Sequence, residues 1–377
     1  MKKIALEEHF ITAELSQYSI GQHSVQSMGG AGGHSAAKVS QRFAEQLVEF
    51  DGMRLEAMDK AGIELSVLSV TTPGVQAEKD ARTAIRLARA ANDFLAREIE
   101  RHPTRYAGFA HLPLQDPKAA ADELRRCVAE LGFKGAMING HSNGHYLDEE
   151  SYFPFWERVQ ELNVPIYLHP RDPSDMPQMY RDHPELLGAT WSWTVETGTH
   201  ALRLVFGGIF DRFPNVTVIL GHMGETLPFL LWRLDSRSRM QSPDKSAAKP
   251  PSEVIRKNIV ITTTGVCSHP SLLCALSALG EEASCFRSTT LTRILASPLT
   301  SSKRRRSASR CVPKSAAGMR KGCCISEVRL PGVVATARAF QAGAPATASM
   351  RGGCPVAPRN LTRPSREIVV VLLFTRG

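Results

Sequence analysis

Glu7 and His9 stand two residues apart in the run Ile4-Ala5-Leu6-Glu7-Glu8-His9. A β-strand alternates its side chains, so both groups share one face. On a buried face a carboxylate and an imidazole are costly unless they are paired or hold a metal. His169 closes the apolar run Val164-Pro165-Ile166-Tyr167-Leu168, and His222 closes Val216-Thr217-Val218-Ile219-Leu220-Gly221. Each taken alone reads more simply as a hydrogen-bonded structural histidine. Three imidazoles and a carboxylate at three strand ends favour a metal centre, and that donor set suits zinc, manganese or iron. Glu225 follows His222 by three residues, placed to hold the imidazole or relay a proton. The plainer reading is an acid in the first turn of a helix. Arg233 is a candidate for pairing a substrate carboxylate, against an ion pair with a neighbouring acid. His111, His200 and His269 have no ligand-like spacing and read as structural.

These residues need strands to position them. Short apolar runs recur at Ile4–His9, Leu65–Val70, Tyr106–Leu112, Gly135–Asn139, Pro165–His169, Val216–His222 and Ile259–Thr264. Helical spacing lies between them, as in Asp80–Arg101 and Pro117–Leu131, with Asp80 as an N-cap and Pro117 in a first helical turn. Strand and helix in alternation predict a parallel sheet covered on both faces. Seven strands in this length predict a (β/α)8 barrel without its eighth strand, its chemistry at the strand C-termini. The Gly/Ser/His-rich stretch Gly21–Ala37 reads as a loop at that end, either functional or a surface insertion.

Composition divides the 377 residues in two. Residues 283–377 carry 17 Lys and Arg against only Glu327 and Glu367, so the net +9 of the whole conceals a net −6 over residues 1–282. The second part, 283–377, has no Asp, Trp or Tyr and no apolar periodicity. It reads as a basic, low-order tail. Its Phe286, Phe340 and Phe374 are too sparse for a stacking surface, so no nucleic-acid partner is expected. The eight cysteines form no C-x-x-C pair, which argues against a zinc module or disulfide framework. The first apolar stretch is too short for a signal peptide, and Ile368–Phe374 is too short for a membrane span, so a cytoplasmic protein without membrane contact is expected.

The run Ile4-Ala5-Leu6-Glu7-Glu8-His9-Phe10 resembles the opening of the amidohydrolase-related decarboxylases, the aminocarboxymuconate-semialdehyde decarboxylase-like family. Within it the chain resembles the γ-resorcylate (2,6-dihydroxybenzoate) decarboxylases. The similarity continues in Arg54–Ile63, Leu112–Pro117, Gly132–Ala136, His200–Leu204 and Gly207–Asp235, and covers residues 1 to about 282. The resemblance implies a metal-dependent (β/α)8 barrel that decarboxylates a hydroxylated benzoic acid to a phenol and CO2. It implies one divalent ion, Zn2+ or Mn2+, held by Glu7, His9, His169 and His222. His222 and Glu225 are the expected catalytic pair and Arg233 the expected substrate contact. Trp191 and Trp193 are read as walls for the ring or as core. The family also implies a small aromatic carboxylate as substrate and a homo-oligomer, a dimer or tetramer.

The family carries a last metal ligand, an Asp at the end of the eighth strand. This chain has no Asp after Asp244. The expectation is that a frameshift near Glu282 replaced the native C-terminus. Codons compatible with Arg287–Leu291, read one frame over, permit Val-Asp-Tyr-Pro, the family's eighth-strand context. The nucleotide sequence across codons 280–295 decides this. Two other readings stand beside the decarboxylase: a hydrolase using the same barrel, and a non-catalytic remnant without its last ligand.

Overall fold

The structure, a computed structural model, describes residues 4–19, 44–241 and 249–280. The expected loop at Gly21–Ala37 and the tail at 283–377, with its out-of-frame strand, lie outside the described residues.

Among the described residues seven strands run in chain order: β1 Ile4–Phe10, β2 Leu65–Val70, β3 Tyr106–Gly108, β4 Ala136–Asn139, β5 Ile166–His169, β6 Val218–Leu220 and β7 Ile259–Ile261. Each described pair is parallel. A bridge from Ala110 to Ala136 carries the order across from β3 to β4. The principal helices, again in chain order, are α1 Ala13–Ser19, α2 Met53–Ala61, α3 Ala81–Arg101, α4 Pro117–Ala129, α5 Phe153–Leu162, α6 Ser192–Phe206, α7 Ile209–Arg212, α8 Leu227–Gln241, α9 Pro251–Asn258 and α10 His269–Leu279. Most strands are shorter than the apolar runs suggested. The run ending at His222 pairs only over β6, because the backbone turns away to present the histidine.

Local chemistry accounts for the helix boundaries. The Asp80 carboxylate accepts the Thr83 N–H at 2.8 Å and caps α3. Asp116 accepts from Lys118 and Ala119, and Pro117 occupies the first turn of α4, where its missing N–H costs nothing.

Two apolar layers show that the sheet is curled. Leu6, Val67, Ala107, Phe109, Met137, Tyr167 and Ile219 form an inner cluster contributed by β1 to β6. A larger cluster, including Leu68, Leu95, Leu124, Ile138, Trp156 and Leu220, fills the space between strands and helices. Contact across the sheet confirms the curvature. Glu7 on β1 bonds Tyr167 on β5, four strands away. A flat sheet would hold those strands about 20 Å apart. This is a TIM barrel, with β1 and β7 each paired on one side among the described residues.

Candidate metal centre

A β-bulge in β1 aims the first candidate ligand, Glu7. The register against β2 slips between Ala5 and Glu8, so Leu6 and Glu7 together oppose Val67. Leu6 joins the inner cluster, and Glu7 turns to the same interior beside His169 and His222. Ala5 and Phe10 pack outward.

Glu7, His9 and His169 place their ligand atoms within 4.8 Å of one another. The His169 Nε2 lies 3.5 Å from Glu7 Oε1, and the His222 Nε2 lies 3.3 Å from the same oxygen. The rings of His9 and His169 meet edge to face at 4.7 Å. His169 Nδ1 is held by the Pro170 carbonyl at 3.0 Å, and His9 Nδ1 by the Ser69 hydroxyl at 3.2 Å. Such bonds on one ring nitrogen leave the other for an ion. Burial pushes the His9 imidazole down to about 3, so it stays neutral, the form that ligates. One buried carboxylate and two oriented imidazoles fit a divalent ion.

His222 belongs to the same cluster through different contacts. Its Nδ1 is 2.6 Å from Glu225 Oε1, and Glu225 is fully buried, its Oε2 without a hydrogen-bond partner among the described residues. Burial opposes charge on His222, but Glu7 and Glu225 on either side outweigh it and hold its pKa up at about 11. Burial likewise pushes the Glu7 carboxyl up, and the charges and hydrogen bonds of His222 and His169 overcome this, holding it well below the usual range.

The backbone around this pair is strained. His222, Met223, Glu225 and Thr226 all have positive φ, between 47° and 65°. That costs roughly 1–3 kcal/mol per residue and is tolerated where surrounding structure enforces it. The Met223 N–H donates to the Thr262 carbonyl at 2.8 Å, tying the turn to the end of β7. Gly265, at φ +69°, lies against the other side of the imidazole, where a Cβ would come 2.6 Å from His222 Cδ2. Gly265→Ala is therefore expected to displace the ring and add left-handed strain of about 1–2 kcal/mol. For a domain of this size, melting should fall by about 2–8 °C.

Of the tryptophans, Trp193 stands 6.4 Å from His169, ring centre to ring centre, and donates its indole N–H to Asp172 at 2.6 Å. Trp191 is 47% exposed. Arg233 is not brought to the cluster. It is exposed on α8 and lines a cleft of about 1120 Å³ with Phe206, Asp211, Arg237 and Lys249. His111 accepts the Val75 N–H and His200 the Leu147 N–H, while His269 is exposed at the start of α10. Sequence reasoning missed Tyr167, whose hydroxyl donates to Glu7 Oε2 and meets Thr262. Its signal was parity: it precedes His169 by two on the same strand. Burial and the Glu7 charge raise the Tyr167 hydroxyl well above its ordinary pKa, keeping it a donor.

Residues 37–244 match the family model described as amidohydrolase. A gamma-resorcylate decarboxylase of Polaromonas sp. is 42% identical over 290 residues, covering 74% of this chain and 85% of its own. The crystal structure of a 2,6-dihydroxybenzoate decarboxylase from Rhizobium superposes with a TM-score of 0.67 at 41% identity, over 75% of this chain and 86% of that one. A dihydroxybenzoic acid decarboxylase from Polaromonas sp., with bound manganese and the inhibitor 2-nitroresorcinol, gives 0.67 at 41% identity, over 75% and 84%. The family model spans more than half of the chain, and relatives at 41% and 42% identity cover about three quarters of it: the chain belongs to the amidohydrolase-related decarboxylase family.

Proposed function

We propose that this chain is a metal-dependent decarboxylase of a hydroxylated benzoic acid, of the 2,6-dihydroxybenzoate type, releasing a phenol and CO2. The observation that carries the reading is the meeting of Glu7, His9 and His169 within 4.8 Å, with the His222–Glu225 pair against the same carboxylate. Glu7, His9 and His169 would hold one divalent ion, with His222 in reach through Glu7. Manganese is the ion in the Polaromonas relative, and zinc suits the same donors. When bound, the ion supplies positive charge that attracts and orients the substrate's carboxylate and ortho hydroxyl.

The chain's own residues supply the proton. His222, held at Nδ1 by Glu225, donates from Nε2 to the ring carbon that bears the carboxylate. Glu225 aims the imidazole through Nδ1 and stabilises its charge before transfer. The bond to the carboxylate then breaks, and its electron pair restores the aromatic ring as CO2 departs. His222 is left neutral and recovers a proton from solvent. Trp193, beside His169, supports an apolar wall for the ring. No helix among the described residues is long and apolar enough to cross a membrane. The exposed Phe229, Trp232 and Met240 on α8 support a homo-oligomer.

We further infer that the family barrel ends near residue 282 and that the following residues are out of frame. The composition break supports this, as do matches that cover about three quarters of this chain.

Incubation of the full chain with 2,6-dihydroxybenzoate and Mn2+ should release CO2 and the matching diphenol in equal amounts. A chelator should abolish release. At metal near 100 times its Kd the ion contributes about 2.7 kcal/mol, so chelation should lower melting by about 5–10 °C. Hydrolysis of esters or lactones without CO2 release would support the hydrolase instead. Absence of both metal uptake and cooperative melting would support the remnant.

A further inference from the structure

We propose that Tyr167 is the positioning residue for Glu7: its buried hydroxyl, braced by Thr262 and Thr264, occupies one carboxylate oxygen so that only the other faces the ion. The inference rests on the metal site proposed above. Glu7 Oε2 receives the Tyr167 hydroxyl, while Oε1 is the oxygen facing the Nε2 atoms of His169 and His222. The two oxygens thus have separate partners. A glutamate's terminal torsion is broad and nearly two-fold. Without a partner on Oε2 the carboxylate could turn, offering either oxygen or both to an ion.

The brace is built from distant parts of the chain. Tyr167 is 0% exposed and stands in the inner cluster on β5. The Thr262 hydroxyl lies 3.1 Å from its oxygen, the Thr264 hydroxyl 3.5 Å, and the two threonine hydroxyls 2.9 Å from each other. A phenol has one proton, and the carboxylate, an acceptor only, takes it. Thr262 therefore donates to the phenol oxygen and Thr264 to Thr262, so the chain of hydroxyls points at Glu7. Above this chain Gly221 leaves just enough room: a Cβ there would come 2.8 Å from both Glu7 Oε2 and the Tyr167 oxygen. β1, β5 and the segments after β6 and β7 converge on one carboxylate oxygen.

Outer partners that fix a ligand's orientation are worth about 10–100-fold in metal affinity. Equilibrium dialysis with Mn2+ on the full chain tests the proposal. Tyr167→Phe removes only the hydroxyl and should weaken Mn2+ binding by about 10–100-fold. Thr262→Val should weaken it less, and Thr262→Ser should bind like the parent. Tyr106→Phe is the control, a buried phenol that donates to the Phe50 carbonyl in the outer layer, and it should leave binding unchanged. Parent-like Mn2+ binding by Tyr167→Phe overturns the proposal. So does equal weakening by Tyr106→Phe, which would mean general loosening. If the parent chain itself binds no Mn2+, the metal-centre reading falls, and this inference with it.

Discussion

Glu7→Gln is expected to reduce bound metal to background and decarboxylation by at least about 10³-fold. Glu7 is touched by both His169 and His222, and its other oxygen is taken by the Tyr167 hydroxyl. A glutamine fills the same volume but offers one acceptor and one donating end. If its carbonyl accepts from Tyr167, its NH2 points where the ion would sit and repels it. If it turns over, NH2 faces the hydroxyl of Tyr167 and both donors compete. Either way the negative charge that balances a cation is gone. A bound ion supplies several kcal/mol of charge stabilisation, and about 4 kcal/mol is a factor of about 10³. Elemental analysis of the purified variant, alongside CO2 release, checks the result. Full metal occupancy in Glu7→Gln would remove Glu7 from the ligand set. Glu7→Asp keeps the charge but withdraws it, and should rank between the two.

His222→Asn is expected to lower kcat by about 10²–10⁴-fold, the usual contribution of a positioned acid, with metal content retained. The prediction separates two roles open to this residue. The ligand atoms that converge are those of Glu7, His9 and His169. His222 meets the group through Glu7 Oε1 and is committed at Nδ1 to Glu225. Loss of metal in step with activity would make His222 a ligand and leave the proton donor unassigned. Glu225→Gln is the companion. It removes one of the two carboxylates that hold His222 charged. The imidazolium pKa should fall, so the alkaline limb of the rate profile should move to lower pH.

The strand alternation was legible because a parallel barrel buries both faces of every strand, leaving apolar runs spaced by helical segments. The caps at Asp80 and Asp116 were legible because they depend on neighbours within three residues. The histidines ending the runs at 169 and 222 stood out because a barrel places its active-site groups at the C-terminal ends of its strands. Parity alone put Glu7 and His9 on one face. The bulge that also turns Leu6 inward was not legible, because it is defined by the register against β2.

Other features of the site depend on residues far apart in sequence. Tyr167 read as one more apolar residue of β5, and Thr262 and Thr264 as the end of β7. Their hydroxyls become a brace only when the curled sheet brings β7, β5 and β1 around a common interior. Arg233 followed the His222–Glu225 turn closely enough to suggest a substrate contact, yet α8 carries it to an exposed face. Residue types and their spacing along single strands determined the candidate ligands, since period and burial are local properties. Tertiary structure alone decided which oxygen of Glu7 faces the histidines, since that depends on how strands distant in sequence close around it.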